Sequence, residues 1–246
     1  MPTDGSFQAI TADRLKSWSR CQKQYEFQYV KALHWPTDTR SFALGKDIHK
    51  LLDYQARGLD VTQVVQTASP LIQQMWAALS DYPLVTMPAL RSEWAFHIDL
   101  DHDHDLTSGL WLTGRVDRIV WLEQQEMLCI VDWKTGTAVP KDPENDWQTQ
   151  VYLYAVYEAR HQLALPENIT HEQLCFKYVE VPTQKQSDQK QPIQIKEKTV
   201  VYSGEKHRLA KQRLLDTALK LQNSTEYVLP KRCPDKYCAY SSVCGI

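Results

Sequence analysis

IVDWKTG, residues 130–136, sets an acid and a base inside what otherwise reads as a core strand. Side chains alternate across a strand, so Asp132 and Lys134 share one face while Val131 and Trp133 share the other. The apolar half anchors the segment and the charged half faces away from that core. Upstream, LWLTGRVDRIVWL (110–122) has the aromatic and β-branched alternation of a second strand and carries Asp117. A polar EQQE turn (123–126) joins the two, and pairing through it brings Asp117 towards Asp132. Neighbouring carboxylates repel, and burial strengthens the repulsion. A divalent cation such as Mg2+ removes the conflict and suits a site that takes phosphates. Beside it, Lys134 can orient a metal-bound water or stabilise charge on a phosphate oxygen. Taken alone, the D-x-K triplet also fits a surface ion pair at a strand end.

Outward from this hairpin, Leu15, Trp18, Tyr25 and Tyr29 recur at near-helical spacing within residues 11–33. FALGKDIHKLLDYQARG (42–58) reads as a helix with Ile48, Leu51 and Leu52 on its apolar face, and residues 61–80 predict a third helix. SEWAFHIDL (92–100), EQLCFKYVEV (172–181) and KEKTVVYS (196–203) are strand-like. DWQTQVYLYAVYEARHQL (146–163) and residues 204–224 are helical, while PTQKQSDQKQP (182–192) reads as a loop. The expected fold class is α/β, a mixed central sheet flanked by helices. With 246 residues, no internal repeat and no linker, a single domain is expected over residues 1–246. It divides into an N-terminal helical part (11–85), a core (91–202) and a C-terminal helix with a cysteine-rich end (203–246).

Hydrophobic residues at 43% and charged residues at 24% suit an ordinary globular core. No apolar run approaches the roughly 20 residues of a membrane span. The first residues lack an apolar signal core, so the expectation is a cytoplasmic protein. A net charge of −2 gives no global attraction to nucleic acid. Between Pro182 and Arg213, however, Lys185, Lys190, Lys196, Lys198, Lys206, Arg208, Lys211 and Arg213 face only Asp188, Glu197 and Glu205. That run reads either as a solvated face or as a phosphate-contacting patch. LGKD (44–47) lacks the preceding glycine and the Ser/Thr of a phosphate loop, and no G-x-S-x-G or H-E-x-x-H occurs. DHDHD (101–105) reads as a solvated turn, since a mobile loop offers no preformed cage. Three of the six cysteines crowd into CPDKYCAYSSVC (233–244), which in a cytoplasmic chain points to metal or redox chemistry. Cys129 and Cys175 fall within predicted strands and read as plain buried thiols.

Four motifs stand in order along the chain: G-x-x-x-H (Gly45–His49), G-R-x-D-R (Gly114–Arg118), V-D-x-K-T-G (Val131–Gly136) and Q-x-x-x-Y (Gln150–Tyr154). This series resembles the PD-(D/E)XK nuclease superfamily over about residues 17–244. It is most similar to the RecB-like exonuclease branch, with the CRISPR-associated four-cysteine nucleases and the AddB nuclease domain. The resemblance implies a restriction-endonuclease-like fold and a Mg2+- or Mn2+-dependent deoxyribonuclease. The activity it implies is exonucleolytic, on single strands or duplex ends, in DNA repair, recombination or CRISPR spacer processing. A separate helicase or CRISPR integrase would be the partner. His49, Asp117 and Asp132 would be metal ligands, with the backbone carbonyl of Trp133. Lys134 would be catalytic, Gln150 and Tyr154 would support it, and Glu93 matches an acidic position at the edge of the site. A 4Fe-4S cluster on Cys21, Cys233, Cys238 and Cys244 would join the two helical ends, with zinc as the competing occupant. Four residues separate Cys233 from Cys238 where the family commonly has two. The alternative expectation is a DNA-end-binding or partner-binding module that carries the cluster and cleaves weakly or not at all.

Overall fold

A computed structural model describes residues 8–33, 40–100, 109–135, 139–163, 168–181, 194–234 and 238–244. The DHDHD tract, Gly136 and the loop expected over 182–192 lie outside the described residues. Before the central strands come β1 (Gln8–Ile10), α1 (Ala12–Arg20), α2 (Gln22–Tyr25) with a π turn (Glu26–Val30), and α3 (Arg40–Ala56). The single helix expected over 61–80 is two, α4 (Thr62–Thr67) and α5 (Pro70–Leu79). Pro70 cannot continue a helix but can begin one, and the Ser69 hydroxyl caps it by accepting from the Ile72 N–H. A short α6 (Pro83–Thr86) leads into β2 (Ala89–Asp99), β3 (Leu110–Leu122) and β4 (Met127–Thr135). Then follow α7 (Trp147–Glu158), β5 (Leu174–Val181), β6 (Lys196–Val201), α8 (Gly204–Asn223) and α9 (Ser241–Cys244).

The sheet is mixed, as expected. β2, β3 and β4 form an antiparallel meander, β4 runs parallel to β5 through the α7 crossover, and β6 returns antiparallel. The three-residue β1 was not foreseen; it pairs in parallel with the start of β3. Helices cover the sheet on two sides. Leu128, Ile130 and Phe176 pack with α1, α7 and α8 in one core, and Cys129, Val131, Trp133 and Val179 pack with α3, α5 and α6 in the other. β4 is thus apolar on both faces until Asp132, which explains its nearly unbroken hydrophobic run. Among the described residues, no helix is long and apolar enough to cross a membrane.

What positions the polar residues is a fork. β3 pairs with β4 only from Arg118–Val131 to Leu122–Met127, while its first residues pair with β1 instead. β4 runs on alone beside β5 as far as Thr135–Val181. The two strands therefore separate at Asp117 and Asp132. The strand alternation also changes phase at this level. Val116 packs in the α7-side core, yet Arg118, two residues on, sends its guanidinium to the Val85 and Met87 carbonyls in the other layer. On β2, Trp94 packs with the α7-side core while Ser92 donates to Asp53 of α3, at 2.8 Å. Glu93 between them has φ +48°, a left-handed conformation that costs a non-glycine residue about 1–3 kcal/mol.

Two motif glycines set how closely the layers approach this fork. A Cβ at Gly45 would lie 2.8 Å from the Thr135 hydroxyl, so glycine lets α3 rest on the end of β4. A Cβ at Gly114 would lie 2.5 Å from Cζ of Phe96 and 3.3 Å from Tyr152. Gly114→Ala is expected to cost about 1–3 kcal/mol in urea unfolding, the usual range for overpacking. Phe96→Leu in the same chain removes the clashing ring atoms and should recover part of that loss.

Candidate active site

His49 lies one turn after Gly45, where the close approach of α3 delivers it to the fork. Its Nε2 stands 3.0 Å from the Trp133 carbonyl oxygen. That oxygen can only accept, so Nε2 carries the proton and Nδ1 presents a lone pair. Nδ1 faces Asp117 Oδ2 at 3.5 Å. Two acceptors face each other there, an arrangement that a proton or a metal cation satisfies. Asp117 Oδ2 also accepts the Trp133 N–H at 2.9 Å, which closes the fork with a side chain where the strand ladder has ended. Glu93, turned by its left-handed backbone, completes the group. Among the described residues, His49, Glu93 and Asp117 bring one donor atom each within 4.8 Å of one another.

The electrostatics fit a cation. The Asp117 carboxyl is pushed well above the usual carboxylate range, first by burial and then by repulsion from Asp132. Glu93 pushes the same way, and the Trp133 N–H opposes only part of it. Nitrogen and carboxylate oxygen donors in a small, acidic group suit a hard or borderline divalent ion.

Asp132 and Lys134 share a face, as the alternation predicts, and Val131 and Trp133 pack on the other. Asp132 is almost fully buried, and the Lys134 ammonium lies 2.7 Å from its Oδ2. Gln148 joins them: its Oε1 accepts from Lys134 Nζ at 2.8 Å, and its amide donates to Asp132. Asp146 caps α7 by accepting from the Gln148 N–H, which fixes the helix start and hence this amide. Asp132 stands outside the three-residue donor group.

Gln150 and Tyr154 are not brought to this site. Gln150 Oε1 accepts from Arg213 of α8 at 2.7 Å, and Tyr154 stacks on His207. Two residues along a helix turn it by about 200°, so this pair faces α8 while Gln148 and Tyr152 face the fork. Residues 148–152 spell a second Q-x-x-x-Y, and the pattern alone does not choose between the two. The Tyr152 hydroxyl is raised by burial and then by the fields of Asp117 and Asp132, and it contacts Gln148. The basic run that reads as a solvated face or a phosphate patch is partly spent on the loop before α7. Lys198 donates to the Pro140 and Lys141 carbonyls, Lys206 pairs with Glu144, and Arg213 donates to the Asn145 carbonyl.

The cysteine-rich segment comes against the N-terminal helical part through Tyr240. Tyr240 stacks on Phe27, and its hydroxyl donates to the Leu33 carbonyl. The Cys244 thiol is raised by burial and then by Cys238, Cys21 and Cys233. Cys129 and Cys175 are buried cross-strand neighbours on β4 and β5.

A family model of the PD-(D/E)XK nuclease superfamily matches residues 9–245, with the donor group and the Asp132–Lys134 pair inside the match. The chain belongs to the PD-(D/E)XK nuclease superfamily. No curated protein matches the chain significantly. A crystal structure from Eubacterium rectale described as a "Putative exonuclease" superposes with a TM-score of 0.54 at 12% identity. The match covers 96% of this chain and 92% of that one, which establishes a shared restriction-endonuclease-like fold. PD-(D/E)XK nucleases use divalent metals, and His49, Glu93 and Asp117 supply a group able to hold one. Gln148→Ala should lower metal-dependent nuclease turnover by about 100-fold, the scale of a misplaced catalytic group. Gln150→Ala should leave it within about 2-fold of wild type, and initial rates of the two variants compare them directly.

Proposed function

We propose that the protein is a Mg2+- or Mn2+-dependent deoxyribonuclease, an exonuclease hydrolysing phosphodiester bonds of single strands or duplex ends. The single observation that supports this most strongly is the donor group of His49, Glu93 and Asp117 beside the Lys134–Asp132 pair. The exonuclease reading also draws on the description of the structural neighbour. His49, Glu93 and Asp117 would hold the metal, and Asp132 would serve at its edge. When bound, a divalent ion supplies Lewis acidity and lowers the pKa of a coordinated water. Lys134 supplies a positive charge beside the metal group. Anchored by Asp132 and Gln148, its ammonium is poised to stabilise charge gathering on a phosphate oxygen. Tyr152 and Phe96 pack beneath Gly114 and hold β3 in place.

The roles that fit are DNA repair, recombination or CRISPR spacer processing, with a helicase or integrase as a separate partner. We read Cys21, Cys233, Cys238 and Cys244 as ligands of a 4Fe-4S cluster tying the N-terminal helical part to the cysteine-rich end, a reading that rests on the number and placing of these cysteines in the sequence. Anaerobically purified protein should then be brown, with broad visible absorption lost in Cys238→Ser. Colourless protein holding stoichiometric zinc would instead establish zinc.

Lys134→Ala and Asp132→Ala should each abolish Mn2+-dependent cleavage of labelled single-stranded DNA while circular dichroism stays native. Undiminished cleavage by both variants would overturn the assignment.

A further inference from the structure

Among the described residues, helices cover the sheet beyond the fork on one face only. Phe96, Leu110 and Leu112 are buried against the α1 and α7 side. The residues between them point the other way, and Ala95, His97 and Arg115 are exposed there. In the β2–β3 register, Ala95 faces Arg115, His97 faces Thr113 and Asp99 faces Trp111. The half-buried Trp111 ring therefore shares this open face with Arg115. The face runs directly into the donor group: Arg115 Nη1 lies 3.3 Å from Glu93 Oε2. A guanidinium has five donors in a planar fork, and the Arg115 side chain is 67% exposed, so this contact leaves donors directed at solvent.

We propose that this open β2–β3 face carries the substrate strand into the site. Arg115 takes a backbone phosphate beside the metal group, and Trp111 stacks a base further along. The inference rests on the nuclease reading and names its strand-binding surface. Three observations carry it. A cation sits at the rim of a site for an anionic polymer. An aromatic ring, Trp111, and a basic side chain, Arg115, lie on one face of β3, the pairing used for single strands. And the face is continuous with the donor group through Glu93. A nucleic-acid strand fits this face better than a protein, because its exposed side chains are the cationic Arg115, the imidazole of His97 and the small Ala95, with no large aliphatic group among them. Arg115 here is more than a brace for Glu93. When a divalent ion draws on the Glu93 carboxylate, the guanidinium charge is left to the phosphate.

The test measures binding of a fluorescein-labelled oligothymidylate by anisotropy in Ca2+, with Mn2+ affinity titrated separately. Arg115→Ala should weaken strand binding about 10-fold and lower the salt slope by about 0.7, one phosphate contact on a single strand. Its Mn2+ affinity should hold or rise. Trp111→Leu should weaken strand binding by a similar factor while its circular dichroism and Mn2+ affinity stay as in wild type. His97→Glu, at an exposed position, repeats the test without touching the core. If Arg115→Ala loses Mn2+ affinity in step with strand affinity, Arg115 only braces Glu93 and the inference fails. It fails equally if Trp111→Leu and His97→Glu bind as wild type does. A wild-type protein that binds through this face but cleaves nothing would refute the nuclease reading and leave the surface standing.

Discussion

The repulsion between Asp117 and Asp132 is the constraint on which the rest of the site depends. Both are largely withdrawn from water where β3 and β4 part, and Glu93 adds a third carboxylate. Burying uncompensated charge is costly, so such a cluster is tolerated only with partners or a bound cation. The protein divides the compensation. Asp132 receives Lys134 and Gln148 from the α7 side. Asp117 receives one backbone N–H and faces the Nδ1 atom of His49 from the α3 side. The first carboxylate is satisfied within the protein, and the second is left to attract a cation.

This division explains why both helical layers must close on the fork with little freedom. Gly45 sets the approach of α3 and hence the reach of His49. The Asp146 cap fixes the start of α7 and hence the amide of Gln148. Neither residue touches the donor group, yet each decides whether a side chain arrives there. Groups held by packed elements rather than mobile loops gain precision in this way. The left-handed backbone of Glu93 is the visible cost of fitting a third carboxylate into the same space.

Much of this was legible in the sequence because it is periodic or local. The period of two placed Asp132 and Lys134 on one face, and the short EQQE turn brought β3 and β4 together. The errors lie where periodicity repeats itself. Two overlapping Q-x-x-x-Y series fit one helix, and only the docking of α7 between sheet and α8 selects Gln148 and Tyr152. Glu93 could be named from its place at the start of a strand, but its turn towards the site comes from a φ of +48° that no side-chain pattern announces. The β1 strand is only three residues long and is held by pairing to the distant start of β3, a tertiary effect. The basic run read as a solvated face or a phosphate patch, and several of its members instead hold the loop before α7. The strand face with Arg115 becomes evident only once one sees which part of the sheet the helices leave bare.

The central claim is that a cation resolves the carboxylate conflict at the fork. The direct test is the thermal midpoint of wild type and Asp117→Asn, each in EDTA and in Mn2+. Removing one of the repelling charges should make Asp117→Asn more stable than wild type in EDTA, by about 0.5–2 kcal/mol as is common where function strains a site. Mn2+ should then raise the midpoint of wild type and leave that of the variant unchanged. A variant less stable than wild type in EDTA, or one stabilised by Mn2+ to the same extent, would contradict the account.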